Sequence, residues 1–241
     1  MPKLGINIDH VATVREARRD KYPDPVEAAR TCEKAGAHSI VAHLREDRRH
    51  INDADVRVLR KIVHTRFNLE MSIDPAIVKI ACRIKPDQAT LVPEKRQEIT
   101  TEGGLDVVKN FARIKHAVKA LTARGIFVSL FIAPDKKQIL KSKETGATCI
   151  ELHTGCYANA KTKKTTSREL KRISRAVEFG NALGLVVNAG HGLNYTNTQA
   201  IARIKGIHEL NIGHAIIARA LFVGLPKAAQ QMLKIAGEKW S

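Results

Sequence analysis

Short apolar runs recur along the chain at residues 4–9, 39–44, 67–72, 89–92, 127–132, 149–154, 186–189 and 209–212, with longer stretches of helical period between them. Their lengths and flanks are those of strands, and they number eight. The intervening stretches carry helix punctuation. Asp24-Pro25 supplies an N-cap and a first-turn proline ahead of the stripe Val26, Ala29 and Cys32, and Gly36 stops it. Val56, Leu59 and Val63 form a second stripe. Asp135 and Gln138 read as a cap before Ile139 and Leu140, with Gly146 at the end. Ser167 is expected to open the helix carrying Leu170, Ile173 and Val177, which Gly184 terminates, and Thr196-x-x-Gln199 reads as a capping box. Strand–helix alternation over the whole length implies a parallel sheet. Eight units in 241 residues is the arithmetic of an α/β fold of one kind, a single (β/α)8 TIM barrel over residues 1–241, since such barrels run to about 250 residues. A doubly wound open sheet is the competitor, but no Gly-x-Gly-x-x-Gly follows any run.

Composition narrows the class. Hydrophobic residues make up 44% and charged residues 27%, an ordinary globular mixture, and no Pro/Gly/Ser-rich linker marks a domain boundary. No stretch approaches the roughly 18 consecutive apolar residues of a membrane span. Met1-Pro2-Lys3-Leu4 lacks a signal peptide's apolar core, so a cytoplasmic protein without a membrane partner is expected. Cys32, Cys82, Cys149 and Cys156 show no Cys-x-x-Cys pairing, which argues against a zinc knuckle or a disulfide scaffold. The 41 basic residues against 24 acidic ones leave a net charge of +17, compatible with nucleic acid, anionic metabolites or a basic solvated surface. Aromatic residues at 4% offer few stacking platforms, which argues against nucleic acid.

Strand parity carries the first chemical signal. In a closed barrel one parity meets the helices and the other fills the lumen. Asn7, Asp9, His43, Asn68, Glu70, Glu151, His153, Asn188 and Asn211 all oppose apolar neighbours on their runs. Barrel interiors favour branched apolar residues, and a desolvated polar group costs roughly 2–7 kcal/mol unless it is paired. Either these groups satisfy one another as buried pairs, or they line an active-site lumen. Across six strands the lumen is the better account.

The histidines repeat the pattern. His38, His64, His116 and His208 fall on helices or at strand starts and read as surface residues. His10, His43, His50, His153, His191 and His214 cluster at or just after strand ends, beside Asp9 and Glu70, as acid–base work or metal binding would need. Asn7-Ile8-Asp9-His10 stands where metal-dependent hydrolase barrels carry His-x-His, and no His-Glu-x-x-His occurs, so neither metal nor cofactor is expected. A Schiff-base aldolase wants a lysine inside a strand; only Lys95, in the loop after the fourth run, is a weak candidate.

Anion sites are better supported. Asn188-Ala189-Gly190-His191-Gly192 and Gly213-His214-Ala215 follow the last two runs, where small residues let backbone N–H groups approach a phosphate and the next helix offers its positive N-terminus. A second focus is Leu44-Arg45-Glu46-Asp47-Arg48-Arg49-His50, with Arg15, Arg18 and Arg19 nearby. There Arg45 and His50 suit a phosphate, while Arg48 and Arg49 read as solvated or paired to Glu46 and Asp47. Residues 93–104, polar and ending in Gly103-Gly104, have the length of a lid and carry Lys95 and Arg96. Most remaining cations lie on helical stretches such as 161–175, so the surplus charge reads as surface character.

Asn7-Ile8-Asp9-His10, Tyr22-Pro23-Asp24-Pro25, His43-Leu44-Arg45-Glu46-Asp47-Arg48-Arg49-His50, Asn68-Leu69-Glu70-Met71 and residues 91–106 occur in that order. Ile150-Glu151-Leu152-His153-Thr154-Gly155-Cys156-Tyr157, Asn188-Ala189-Gly190-His191-Gly192-Leu193 and Glu209-Leu210-Asn211-Ile212-Gly213-His214-Ala215 complete the series. Spanning nearly the whole chain, they resemble the pyridoxine 5′-phosphate synthase family. The resemblance implies condensation of 3-amino-2-oxopropyl phosphate with 1-deoxy-D-xylulose 5-phosphate, releasing inorganic phosphate and water. It implies that Asn7, Arg18, Gly192, Gly213 and His214 hold the amino-ketone phosphate. It gives Asp9, His10, Arg45, His50 and Thr100 to the deoxyxylulose phosphate. His43 and Glu70 would accept protons, His191 would donate one, and Glu151 would support the transition state. A homo-octamer without metal is implied as well. One departure is Arg18-Arg19-Asp20, where the family pattern has a glycine after the first arginine. The alternative is another phosphate-handling barrel, such as a metal-dependent hydrolase or lyase.

Overall fold

The computed structural model describes residues 1–95, 98, 100 and 103–237. Parallel strands β1 (Lys3–Asn7), β2 (Ser39–Leu44), β3 (Phe67–Met71), β4 (Gln88–Leu91), β5 (Phe127–Ile132), β6 (Cys149–His153), β7 (Val186–Gly190) and β8 (Glu209–Ile212) pair in chain order and close into a barrel through β1 and β8. The eight predicted runs are these strands, and closure excludes the open sheet. Helices surround them: α1 (Asp9–Arg18) and α2 (Pro25–Lys34) after β1, α3 (Asp53–Ile62) after β2, α4 (Pro75–Ile84) after β3, α5 (Phe111–Thr122) after β4 and α6 (Lys136–Glu144) after β5. Then come α7 (Gly155–Ala158) and α8 (Lys163–Ala182) after β6, α9 (Thr198–Ala202) after β7, and α10 (His214–Val223) with α11 (Leu225–Gly237) after β8.

The strand ends shift slightly from their predicted places. Most consequential is β1, which stops at Asn7; Asp9 opens α1 instead of closing the strand. Helix starts follow side-chain capping. Asp24 and Asp135 cap α2 and α6 as expected, and Asp74 with Pro75 repeats the device on α4. Two expectations fail. Ser167 lies inside α8, which begins a turn earlier because Thr162 and Thr165 cap each other reciprocally. The box at Thr196 and Gln199 does not form. Asn194 Oδ1 instead accepts from the Thr196 and Asn197 N–H groups, the local turn asparagine favours, and α9 follows Asn197.

The main core lies between the sheet's outer face and the helices. Leu4, Ile6, Ile40, Leu44, Phe67, Leu69, Leu91, Leu130, Ile150, Leu152, Val187 and Leu210 are all buried there. The inner face is polar as predicted, and it divides by depth. Low in the barrel Arg66 donates to Gln88, Gln88 to Thr90, and Thr90 to Asn68, a chain of paired groups that leaves Asn68 Nδ2 without a partner among the described residues. Towards the strand C-terminal ends the polar groups face a cavity. Both readings of the lumen are therefore correct, at different depths. Arg15 is a strut and not an anion site: it grips Asp55 of α3 through two 2.8 Å bonds and donates to the His50 carbonyl at 2.9 Å. Among the described residues, no helix is long and apolar enough to cross a membrane, and none of the four cysteines forms a disulfide.

Candidate active site

The cavity at the strand C-terminal ends encloses about 800 Å³. Its wall includes Asn7, Asp9, His10, His43, Arg45, His50, Glu70, Glu151, His191, Gly192, Gly213 and His214, twelve of the fourteen residues expected at the site. The two others stand apart. Arg18, the last residue of α1, is exposed and does not line the cavity. Thr100 is off the wall too, its Oγ1 buried without a protein partner. Of the loop expected to form a lid, Arg96, Gln97, Ile99, Thr101 and Glu102 lie outside the described residues. Gly104 at its end is a packing site, since a Cβ there would fall 2.4 Å from the Ala133 nitrogen.

Glu70 stands beside His43 in the register of β2 and β3. Burial, reinforced by Glu151 and Asp9, holds its carboxyl well above the usual carboxylate range. Asn7 Nδ2 donates to Asp9 Oδ2 at 2.9 Å and makes a longer contact to Glu70 Oε2 at 3.4 Å. Glu151, on β6, accepts a 2.6 Å bond from Asn211 of β8, and burial pushes it up to about 7 despite that bond. Asp9 also receives the His43 backbone N–H at 2.8 Å, so its two oxygens tie β1 to β2 at the cavity floor.

Four of the cavity's histidines meet in two pairs. His10 and His214 meet edge to face at 5.1 Å, near Gly213 at the start of α10. Burial, with His214 adding to it, lowers the pKa of His10. Gly213 is required there because a Cβ would lie 2.9 Å from the Asn7 Cβ. The expected anion-binding helix start is thus present after β8, since α10 begins at His214. It is absent after β7, where α9 starts only at Thr198 and Asn194 shapes the turn. His191 adopts a left-handed backbone, φ 77°, which places a non-glycine residue in a sparsely populated region. Its ring stacks on His153 at 4.8 Å, with Phe131 alongside. Burial lowers both histidines, His153 to about 4 with His191 contributing.

The second basic focus is also resolved. Arg45 and His50 line the cavity, and Arg45 Nε donates to Asp47 at 3.2 Å. Arg49 pairs with Asp47 as expected, whereas Arg48 pairs with Asp53 and Glu46 is taken by Lys95. Lys95 is thereby excluded as a Schiff-base nucleophile: it does not line the cavity, and Glu46 raises its pKa where such chemistry needs a lowered one. Asp9, His43 and His50 could each offer a ligand atom to a metal, all within 4.8 Å. Yet both Asp9 oxygens already accept N–H groups and one His43 nitrogen faces Glu94. That donor set is committed to hydrogen bonds.

Sequence reading named His153 and Asn211 by position without assigning them to the site, and it missed Phe131 and Glu94. Phe131 shares the inward parity of Ser129, a signal hidden by the apolar run around it. Glu94 follows β4 at the catalytic face and bonds His43 Nε2 at 2.9 Å. A carboxylate just past a strand end was the available sign.

A closed parallel barrel with paired buried carboxyls and histidines gathered at its strand C-terminal ends defines a TIM-barrel enzyme of acid–base type. The family model described as pyridoxal phosphate biosynthesis protein PdxJ matches residues 4–238, and the chain belongs to that family. It is similar to a pyridoxine 5′-phosphate synthase of Trichlorobacter lovleyi, 55% identical over 235 residues and 98% of each chain. A second relative of that name, from Alcanivorax borkumensis, is 58% identical over 229 residues, 95% of this chain and 94% of its own. Among solved structures, KGPDC from Streptococcus mutans has a TM-score of 0.68 at 14% identity, covering 98% of this chain and 97% of its own. Phosphoribosyl anthranilate isomerase from Thermus thermophilus has 0.60 at 12%, covering 97% of each chain. These two likenesses establish the fold alone.

Proposed function

We propose that the chain closes the pyridoxine 5′-phosphate ring, condensing 3-amino-2-oxopropyl phosphate with 1-deoxy-D-xylulose 5-phosphate and releasing inorganic phosphate and water. Family membership and the names of the relatives support the reaction. The observation that carries the site assignment is the placement of Glu70: half-buried in the cavity wall, beside His43, with His191 on the same cavity.

An ammonium group must lose a proton before its nitrogen can attack a ketone, and the resulting carbinolamine must lose water. Enolisation, phosphate loss and ring closure then require further proton moves around few atoms. A carboxyl whose ionised form is penalised by burial is a strong base once ionised, which suits Glu70. A histidine whose charged form is penalised is a strong acid once protonated, which suits His191 as donor. His43 is the second acceptor, and Glu151, sharing the same low-polarity wall, supports charge developing in the transition state. Arg45 and His50 offer charge to one substrate phosphate. Gly213 and His214, at the start of α10, with Gly192 in the loop after β7, offer backbone N–H groups to the other. The loop at 93–104 would keep water from the imine intermediates.

The same reading makes the chain a cytoplasmic homo-octamer. Four cysteines without a disulfide suit a reducing compartment. Leu221 and Phe222, adjacent on α10 and 78% and 85% exposed, suit a face covered by another copy. The test of function is turnover: purified protein given both substrates forms the pyridinol ring with one phosphate released per ring, and Glu70→Gln loses that turnover. Near-normal rates in the variant would sink the assignment.

A further inference from the structure

Glu94 lies behind His43 and not on the cavity wall, and no step above uses it. Its side chain is 4% exposed. One oxygen contacts His43 Nε2 at 2.9 Å; the other accepts the Glu46 backbone N–H at 3.0 Å and lies 3.9 Å from Arg45 Nη2. The residue's own N–H meets Glu98 Oε2 at 3.3 Å. The Glu46 amide donor and the Arg45 guanidinium are the surroundings of an ionised carboxylate; burial alone would push the group up, but its bonds bring it below its ordinary value.

An ionised carboxylate can only accept hydrogen bonds. His43 must therefore carry its proton on Nε2, which leaves Nδ1 as the nitrogen with a free lone pair. We infer that Glu94 is a positioning residue for His43: it orients the ring, fixes the tautomer whose basic atom is Nδ1, and steadies the imidazolium formed when Nδ1 takes a proton. The same carboxylate reaches Arg45 and the Glu46 amide, so one group sets the base and the neighbouring phosphate-binding arginine together. The inference rests on the reading of His43 as a proton acceptor.

A merely structural acceptor could be neutral; a group that steadies an imidazolium must be charged. Glu94→Gln separates the two, because its amide keeps the size and loses the charge. The expected result is a kcat lowered by about 10²-fold or more, with KM for 3-amino-2-oxopropyl phosphate, which Arg45 does not hold, within about threefold. Glu94→Asp, which keeps the charge, should recover part of the loss. ¹⁵N NMR of the wild-type histidines, with His43 assigned through His43→Asn, should show the Nε2–H tautomer, and this readout does not depend on any Glu94 variant folding. The opposite tautomer overturns the inference. So does turnover lost in His43→Asn but kept within about threefold in Glu94→Gln. Turnover retained in His43→Asn removes the reading of His43 on which the inference stands.

Discussion

Among the described residues Glu151 has no cation against it; Asn211 is its hydrogen-bond partner, and burial pushes its carboxyl from 4.5 to about 7. As pH rises past the ordinary value, the unfolded chain gives up this proton while the folded chain keeps it. Stability contributed by the protonated form is complete below about pH 4.5 and is lost as pH climbs through about 7. At about 1.4 kcal/mol per pH unit, the loss is on the order of 3 kcal/mol. Glu151→Gln keeps the shape and does not titrate. In chemical denaturation the variant should therefore gain on the wild type by about that amount between pH 4.5 and 8; a difference constant with pH would contradict the burial argument. Side-chain parity was enough to find Glu70 and Glu151, because alternation on a strand is a local property. Glu94 was not legible in this way, since its importance comes from a contact with His43 across 51 positions of chain.

Among the elements, strands were easier to read than helix starts. All eight strands lie within one or two residues of their predicted ends, because burial of the outer face demands an apolar alternation that nothing else produces. Helix starts depend on which of several nearby polar side chains reaches a backbone N–H. Thr162 prevailed over Ser167, and Asn194 over Thr196, on geometry that spacing does not encode. The departure at Arg19 has a clear structural meaning. It terminates α1 in the left-handed conformation, φ 52° and ψ 45°, which is where glycine is most at home. An arginine thus holds a conformation that glycine adopts freely, at a backbone cost of about 1 kcal/mol. Arg19→Gly should stabilise the protein by roughly 0.5–1 kcal/mol, while Arg19→Ala, which removes the same charge and keeps a Cβ, should fall well short of it. Equal gains in thermal unfolding for the two variants would show that charge, not backbone, is responsible.

At the scale of the whole molecule, the +17 charge separates into two parts. Arg45 serves the cavity. Lys136, Lys137, Lys164, Arg168, Lys171 and Arg175 instead line a groove between α6 and α8 that shares no residue with the active site. The surplus is surface character, and it gives two anionic substrates a positive field to enter. The proposed assembly rests on the opposite chemistry. Leu221 and Phe222 are the most exposed large apolar pair in adjacent positions. Sedimentation velocity should show wild-type protein as an octamer and Phe222→Asp as smaller species; a wild-type protein sedimenting as a single protomer would contradict the proposed assembly. Chemistry remains the deciding matter. The most direct measurement is the initial rate of pyridoxine 5′-phosphate formation from 3-amino-2-oxopropyl phosphate and 1-deoxy-D-xylulose 5-phosphate, wild type against Glu70→Gln. The account predicts ring formation by the wild type with one phosphate released per ring, and a rate about 10²–10⁴-fold lower in the variant. No ring from the wild type, or a Glu70→Gln rate within about threefold of it, would contradict the account.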